Sequence, residues 1–339
     1  MPAPLISVLL PVRDGGEYLP EALASLETQT CRDFEVVAVD DGSTDGTSDR
    51  LLAWAKRDAR IRVVKQDHQG VTVALNKAIE HSQGRFLARM DADDIALPHR
   101  FERQLQALAD DPRVGVCGTW VKVFGVLGRH TWRYPVSDDG IRARLMFDCP
   151  LAHPSVMIRR EALDGMQPVY RTEYRRAQDY DLWERLRTSC RFRNVPTPLL
   201  AYRIHPLQAT VTDEAEMFAS AARVRKRLLS SWWPEATEEE CRFHHELSAD
   251  LLAVSPEGFA AAERWLLELA ERHRRRLMVA PDVWSATLAV KWLEVCRHFR
   301  GLGLRVLRQY AASPLAQIRA VPPRRVLRLV VDVLLRSHE

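Results

Sequence analysis

The chain has 339 residues, of which 46% are hydrophobic and 28% charged, and this composition excludes a disordered chain, a fibre and a disulfide-stapled miniprotein. Its 49 basic and 45 acidic residues give a formal net charge of +4, which by itself indicates no particular partner. The six cysteines include no CxxC pair, so a reduced, cytoplasmic compartment is expected and structural zinc is not.

Short apolar runs alternate with segments of helical period over the first hundred residues. Strands are predicted over 6–12, 34–39, 61–65 and 85–90. Helices are predicted over 18–29, from the turn at 40–45 through Trp54, and over 71–81. This alternation is typical of a parallel sheet covered by helices. Because ligands bind beyond the carboxyl ends of strands in open α/β sheets, the polar turns after the first, second and fourth strands are expected to converge on a ligand site.

The rest of the chain divides into a less regular stretch and a helical one. Helices are predicted over 98–108 and 181–186, and strands over 114–124, with an interruption at Gly118, and 153–158. The later predicted helices cover 217–229, 238–252, 259–276, 283–299 and 315–335. We therefore expect an α/β domain over 1–215 and a mainly α-helical region over 216–339.

Two carboxylates, Asp91 and Asp93, stand one residue apart directly after an apolar strand. Side chains at that spacing can face one site, and carboxylate oxygens suit Mn²⁺ or Mg²⁺, whose remaining positions are taken by water and substrate phosphates. The alternative is a solvated turn in which Asp93 or Asp94 caps the next helix.

The segment Asp40-Asp41-Gly42-Ser43-Thr44-Asp45 supplies acceptors at the end of the second strand. A carboxylate there suits the base or ribose of a nucleotide. The same residues are also favoured in any strand-to-helix turn, where Asp, Ser and Thr cap the helix and Gly permits a positive φ.

Taken together, the motifs resemble those of the inverting glycosyltransferases of family 2, which have the GT-A fold. In chain order the matching pieces are Val8–Val12, Tyr18-Leu19, Gln29-Thr30, Val39–Asp45, Gly70, Leu75-Asn76, Gly84-Arg85, Arg89–Asp94, Pro98, Arg100, Gln104, His153–Met157, Gln178–Trp183 and Tyr202–Pro206. The resemblance covers roughly residues 5–210, and nothing after about residue 225 takes part.

The resemblance implies roles for particular residues. The residues implied for the donor nucleotide are Pro11, Arg13, Asp40, Asp41, Asn76 and Asp91. The residues implied for the metal are Asp93, as the direct ligand, with Asp91 and His205. Asp179 matches the catalytic base, and His153 and Trp183 are assigned to the acceptor. The alternatives are a helix-start carboxylate for Asp179, an ordinary loop histidine for His205 and a turn-capping role for His153.

The implied function is metal-assisted transfer of a sugar, with inversion, from a nucleotide-diphosphate donor to a hydroxyl of a glycan or lipid-linked acceptor, in cell-surface polysaccharide biosynthesis. UDP is the default nucleotide. The alternative is a non-catalytic nucleotide-sugar-binding or scaffold protein of an assembly complex. It is supported by Gln178, which stands where the family commonly has Glu beside the base.

Positive charge is concentrated in residues 272–336, which contain 14 Lys and Arg against three acids, together with several aromatic residues. Such a segment suits peripheral contact with the anionic inner face of the cell membrane. The alternative is that these residues form the solvated and buried faces of a helical subdomain. Nucleic acid is not expected as a partner, because no recognised nucleic-acid module is present.

Overall fold

A computed structural model describes residues 3–126, 128–206, 214–318 and 320–336. Four strands, β1 to β4, run parallel at one side of its sheet. Their bounds are Ile6–Val12, Phe34–Asp41, Ile61–Gln66 and Phe86–Arg89. The central strand β1 is buried along its whole length and pairs with β2 on one side and β4 on the other. The four strands predicted for this part of the chain are confirmed.

Five further strands extend the sheet and make it mixed. They are β5 (Ile95–Ala96), β6 (Val114–Gly125), β7 (His130–Trp132), β8 (Met157–Arg159) and β9 (Arg191–Ile204). The strand order is β3-β2-β1-β4-β8-β6-β9-β5, with β7 paired to β6. β8 is antiparallel to both β4 and β6, whereas β6 and β9 run parallel.

Helices flank the sheet, and the first of them presents an apolar stripe to it. The first six are α1 (Leu19–Glu27), α2 (Thr47–Arg57), α3 (Val71–Glu80), α4 (Arg100–Asp110), α5 (Asp138–Leu145) and α6 (Gln178–Leu186). In α1, Leu19, Leu23 and Leu26 recur at helical spacing and are all buried. They join the core formed by β1, β2 and β4.

The chain divides into two compact units, and the division is not a single cut. One unit comprises Met1–Ile141 and Cys149–Ser220, and the other comprises Arg142–Asp148 and Ala221–Glu339. The later described helices are α7 (Glu214–Trp232), α8 (Glu238–Ser248), α9 (Pro256–Arg275), α10 (Pro281–His298), α11 (Leu304–Ala312) and α12 (Pro323–Arg336). Helix α7 crosses the boundary between the units, and the other five lie in the second unit. Within the described ranges, none of the helices combines the length and apolarity needed to cross a membrane.

Three expectations about elements need correction. The interruption expected at Gly118 is absent, because β6 continues through it; a Cβ there would lie 2.2 Å from Asn194 Oδ1, so glycine allows the close approach of β9. Strand β9 was not predicted from the sequence, because it contains Pro196 and Pro198, and proline is rare inside strands. Both prolines lie where the pairing register between β6 and β9 shifts. The single helix expected over 315–335 is wrong, because Pro322 and Pro323 end one segment and begin α12.

Candidate active site

The turns after β1 and β2 are joined by hydrogen bonds, as the sheet geometry predicts. The Asp14 backbone N–H donates to Ser43 Oγ at 2.9 Å, and the Thr44 N–H donates to Asp14 Oδ1 at 2.7 Å. The Gly16 N–H donates to Asp45 Oδ2 at 2.8 Å. Asp14 adopts a positive φ of 47° in this loop. Each turn therefore fixes the conformation of the other at the carboxyl edge of the sheet.

Asp40 and Asp41 at the end of β2 bind their own chain. Asp40 accepts hydrogen bonds from the Ser43 backbone N–H and the Ser48 hydroxyl, and so caps the turn into α2. Asp41 accepts four, from Gln66 Nε2, His68 Nδ1 and the backbone N–H groups of Gln69 and Gly70, at 2.7–2.9 Å. Burial raises the pKa of Asp41, but these donors together bring it below its ordinary value. In this arrangement Asp41 holds loop 66–70.

Arg13 lies at the mouth of this corner. Its Nη1 lies 2.6 Å from His68 Nε2, and His68 Nδ1 lies 2.9 Å from Asp41 Oδ2. Since Arg only donates and a carboxylate only accepts, His68 carries its proton on Nδ1. Pro11 is buried in β1, paired with Val39 beyond the last residue that pairs with β4. Arg13 therefore offers an exposed guanidinium of fixed direction beside the two joined turns.

Three carboxylates meet in the turn that follows β4. One oxygen from each of Asp91, Asp93 and Asp94, here called the acidic cluster, lies within 4.8 Å of the others. Asp91 is ion-paired with the buried Arg89. Asp94 is fully buried, and its Oδ2 has no hydrogen-bond partner among the described residues. The alternative in which Asp93 or Asp94 caps the next helix in a solvated turn does not account for the buried position of Asp94.

The end of β9 positions the acidic cluster. The Arg203 backbone N–H donates to Asp94 Oδ1 at 3.0 Å, and Arg203 Nε donates to the Asp93 carbonyl at 2.9 Å. His205 Nε2 lies 3.0 Å from Asp93 Oδ2. The Arg203 guanidinium also packs over the rings of Tyr18 and Phe124, at 4.6 and 4.5 Å from their centres. The structure thus places Asp91 beside Asp93, and Asp93 beside His205, and these are the three residues that the resemblance assigned to a metal.

Electrostatics in the acidic cluster favour a bound cation. Burial raises the pKa of Asp91, and Asp93 and Asp179 reinforce the rise against the opposing charge of Arg89. Burial, with Asp91 and Asp93, raises the pKa of Asp94 well above its ordinary value. Carboxylate oxygens with one imidazole are a suitable donor set for Mn²⁺ or Mg²⁺, and a cation would relieve the repulsion among the three carboxylates and offer a partner to the unpartnered oxygen of Asp94. The residues present therefore fit a divalent cation.

Asp179 is the second residue of α6, which begins at Gln178 directly after Ala177, whose φ is 138°. Its Oδ1 accepts from the Tyr180 backbone N–H at 2.8 Å, and its Oδ2 accepts from Cys149 Sγ at 3.4 Å. Burial raises the pKa of Asp179, and these two donors and Arg89 only partly offset the rise. The structure therefore gives Asp179 two defined donors, a nearby cation in Arg89, and electrostatic contact with Asp91. Sequence reasoning missed the contribution of Cys149.

The remaining predicted residues, Asn76, His153 and Trp183, belong to one packed group that also includes Tyr170. Asn76 pairs with the backbone of Tyr170 in both directions, at 2.7 and 2.9 Å. The Tyr170 hydroxyl lies 2.9 Å from His153 Nε2, and burial, aided by Arg89, lowers the pKa of His153 well below its ordinary value. Trp183 is fully buried against His153. The acceptor roles of His153 and Trp183 stay predictions, and the structure gives the Trp183 indole no exposed surface.

Arg89 is the central residue that the sequence interpretation did not single out. It is 5% exposed, is ion-paired with Asp91, and its charge shifts the pKa values of His153 and Asp179. The sequence did contain a signal for the importance of Arg89. It is an arginine at the end of a buried strand, two residues before the carboxylate pair Asp91 and Asp93. Buried arginine requires a charged partner, so its position pointed towards Asp91.

Comparisons with known proteins agree on one family. The model of Glycosyl transferase family 2 matches residues 7–166. The chain is 30% identical over 186 residues to the amylovoran biosynthesis glycosyltransferase AmsE of Erwinia amylovora, with 54% of this chain and 69% of that protein covered. It is 28% identical over 207 residues to the O-antigen biosynthesis glycosyltransferase WbnJ of Escherichia coli, with 59% and 80% covered.

A solved structure has the same architecture. TarS of S. aureus, residues 1–349 in complex with UDP-GlcNAc, matches with a TM-score of 0.54 and 18% identity, over 93% of this chain and 89% of that one. At this identity the likeness shows the fold alone. It confirms the predicted fold class, a GT-A mixed sheet flanked by helices with a helical C-terminal region.

Proposed function

Because the chain belongs to glycosyltransferase family 2 and is therefore a glycosyltransferase, we propose that it transfers a sugar from a nucleoside-diphosphate donor to an acceptor hydroxyl with inversion. The observation that carries the proposal is the acidic cluster at the carboxyl edge of the sheet, together with the buried carboxylate of Asp179, whose pKa is influenced by the same Arg89 that is ion-paired with Asp91. The first can serve the leaving diphosphate and the second the attacking hydroxyl. Inversion in a single displacement requires the hydroxyl to attack the anomeric carbon on the side opposite the departing diphosphate, so each of these groups needs its own support.

The donor occupies the edge where the turns after β1, β2 and β4 meet. Asp91, Asp93 and His205 would hold Mn²⁺ or Mg²⁺, with Asp93 as the direct ligand. When bound, the cation offsets the negative charge that develops on the diphosphate as the sugar leaves. Pro11 and Arg13 line the nucleotide side. Asp40, Asp41 and Asn76 contribute by fixing the loops of this pocket, consistent with their hydrogen bonds to loop backbone.

Asp179 accepts the proton of the acceptor hydroxyl while that oxygen attacks the anomeric carbon opposite the diphosphate. A raised pKa makes a carboxylate a better proton acceptor near neutral pH. Hydrogen bonds from the Tyr180 N–H and Cys149 fix its orientation. The neutral imidazole of His153, hydrogen-bonded to Tyr170, supports the acceptor side of the pocket.

The polysaccharide relatives support a role in building a cell-surface glycan, with a glycan or lipid-linked acceptor. TarS was crystallised with UDP-GlcNAc, and this supports UDP as the first donor nucleotide to test. We assign catalysis to residues 1–215 and assign to residues 216–339 a contact with an anionic membrane surface. That assignment places the enzyme at the cytoplasmic face of the membrane.

Titration calorimetry tests the donor site. UDP, GDP, dTDP and CMP are titrated with Mn²⁺ and with a chelator into the unchanged chain, into Asp93→Ala and into the matched surface control Asp49→Ala. We expect one nucleoside diphosphate to bind, with affinity at least about tenfold weaker after chelation or in Asp93→Ala and unchanged in Asp49→Ala. If no nucleotide binds under any condition, the proposal is wrong.

The variant Asp179→Asn distinguishes a catalytic protein from one that only binds the donor. Asp179→Asn should bind the nucleotide with the affinity of the unchanged chain. With a sugar donor and a panel of saccharide acceptors, its rate of nucleoside diphosphate release should be at least about a hundredfold lower than that of the unchanged chain. The non-catalytic alternative, supported by Gln178, predicts donor binding without turnover in the unchanged chain as well.

A further inference from the structure

Helix α12 has apolar side chains on two opposite faces. Leu329 and Val333 are fully buried, in a helix that packs against α10, α11 and the turn at Phe299–Leu302. Leu327, Val331 and Leu334 are 64%, 44% and 44% exposed. Apolar residues on the buried face are explained by packing within this unit. Those on the exposed face are not.

The exposed residues form one continuous stripe. Leu327, Val331 and Leu334 are spaced by four and three residues, so they lie on one side of the helix. At about 100° per residue this side is roughly opposite Leu329. Leu335, 69% exposed, lies at the end of the same stripe.

Arginines flank the N-terminal half of the stripe. Arg324, Arg325 and Arg328 are all exposed. The acid of this helix, Asp332, lies 4.0 Å from Arg297 in an ion pair. The neighbouring α11 adds exposed Leu304, Arg305 and Arg308 to the same unit. An exposed apolar stripe with positive charge beside it matches a surface that is apolar inside and negatively charged outside.

We propose that this stripe, Leu327, Val331, Leu334 and Leu335, is where the protein docks onto a bilayer containing anionic phospholipid. The inference deepens the membrane contact proposed above. With 14 residues at about 1.5 Å each, α12 is too short to span a bilayer and lies along it.

Vesicle sedimentation tests the inference with the full chain. The probes are vesicles of phosphatidylcholine alone and of phosphatidylcholine mixed with phosphatidylglycerol. We expect the unchanged chain to sediment with the mixed vesicles and not with the neutral ones. The variant L327Q/V331Q/L334Q should bind at least about tenfold more weakly. The variant R324Q/R325Q/R328Q should bind about a hundredfold more weakly, since each arginine near an anionic surface contributes about one factor of five.

Two matched controls change residues of the same kinds outside α12. L251Q/V254Q/L277Q alters three apolar residues that are 49%, 49% and 62% exposed. R57Q/R103Q/R113Q removes three exposed arginines of residues 1–215. Both should bind mixed vesicles as the unchanged chain does. Equal loss in the controls, or equal binding to both kinds of vesicle, overturns the inference.

Light scattering and nucleotide titration complete the test. A dimer that L327Q/V331Q/L334Q converts to a monomer, without vesicle binding in the unchanged chain, would assign the stripe to a second copy and overturn the inference. Nucleotide affinity should be the same in every variant. If nucleotide binding fails throughout while vesicle binding persists, the donor-site proposal fails and the membrane surface stands.

Discussion

Asp41 and Asp91 stand at the carboxyl ends of the strands on either side of β1, yet their surroundings have opposite electrostatic character. Asp41 is surrounded by four hydrogen-bond donors, and its pKa falls below its ordinary value. Asp91 is surrounded by other carboxylates as well as Arg89, and its pKa rises. The first carboxylate is satisfied within the chain and holds a loop, whereas the second lies among carboxylates whose mutual repulsion a bound cation would relieve.

Asp41→Asn should destabilise the fold by about 2 kcal/mol at neutral pH, because an amide oxygen replaces only part of a carboxylate that accepts four hydrogen bonds. The folded pKa of Asp41 lies below the ordinary 3.8, so the unfolded chain takes up the proton first as the pH falls. The stabilisation is therefore present above about pH 4 and is lost as the pH falls through the folded pKa. Urea denaturation of both chains between pH 3 and pH 7 measures this.

The matched control is Asp67→Asn, an exposed carboxylate in the same loop. It should leave the free energy of unfolding nearly unchanged at every pH. A difference between Asp41→Asn and the unchanged chain that does not shrink towards low pH would contradict the prediction.

At the scale of elements, the last residues of β9 build the metal end of the site. β9 pairs with β6 and with the short strand β5 that follows the acidic cluster, so the sheet delivers Arg203 and His205 to Asp93 and Asp94. The contacts span more than a hundred residues of sequence. Spacing along the chain cannot predict such contacts, because they depend on the order of strands in the sheet.

Arg203→Ala should lower the free energy of unfolding by about 2 kcal/mol and weaken Mn²⁺-dependent nucleotide binding, since it removes a hydrogen bond to the Asp93 carbonyl and packing over Tyr18 and Phe124. Urea denaturation and calorimetry measure the two effects. The control is Arg193→Ala, which changes a more exposed arginine on the same strand. It should lower the free energy of unfolding by less than about 0.5 kcal/mol. Unchanged nucleotide affinity in Arg203→Ala would show that β9 does not organise the site.

At the scale of the whole molecule, the short segment Arg142–Asp148 belongs to the helical unit, although it lies far from that unit in sequence. Phe147 packs against His244 and Trp284, and its carbonyl accepts from Arg225 Nε at 2.8 Å. Arg144 is ion-paired with Glu294 at 2.9 Å. The second unit is therefore completed by a piece of chain inserted from the first half of the sequence.

A chain shortened to residues 1–220 should expose this segment. Met146 and Phe147, both fully buried in the whole chain, lose the helices that cover them. We expect stronger binding of a hydrophobic dye and trypsin cleavage after Arg142 or Arg144 at least about tenfold faster than in the full chain. Cleavage of both chains at the same rate would contradict the assignment of this segment.

The sequence by itself determined the parallel core of the sheet, the family and the position of the acidic turn. These features depend on local patterns in the sequence. Buried strands are recognised as short apolar runs, and helices are recognised by apolar residues at helical spacing. The residues of a motif keep a fixed spacing within one turn. Asp91, Asp93 and Asp179 could be chosen in this way before any contact was known.

The tertiary structure alone decided which charges meet. Arg89, Cys149 and Arg203 act on the site through partners that are distant in sequence, and β9 was hidden by its prolines. The physical reason is that a pKa or a salt bridge depends on distance and burial, and both are set by the sheet order and by packing between elements. Residue type and spacing fix the available chemistry, and the fold determines which groups carry it out.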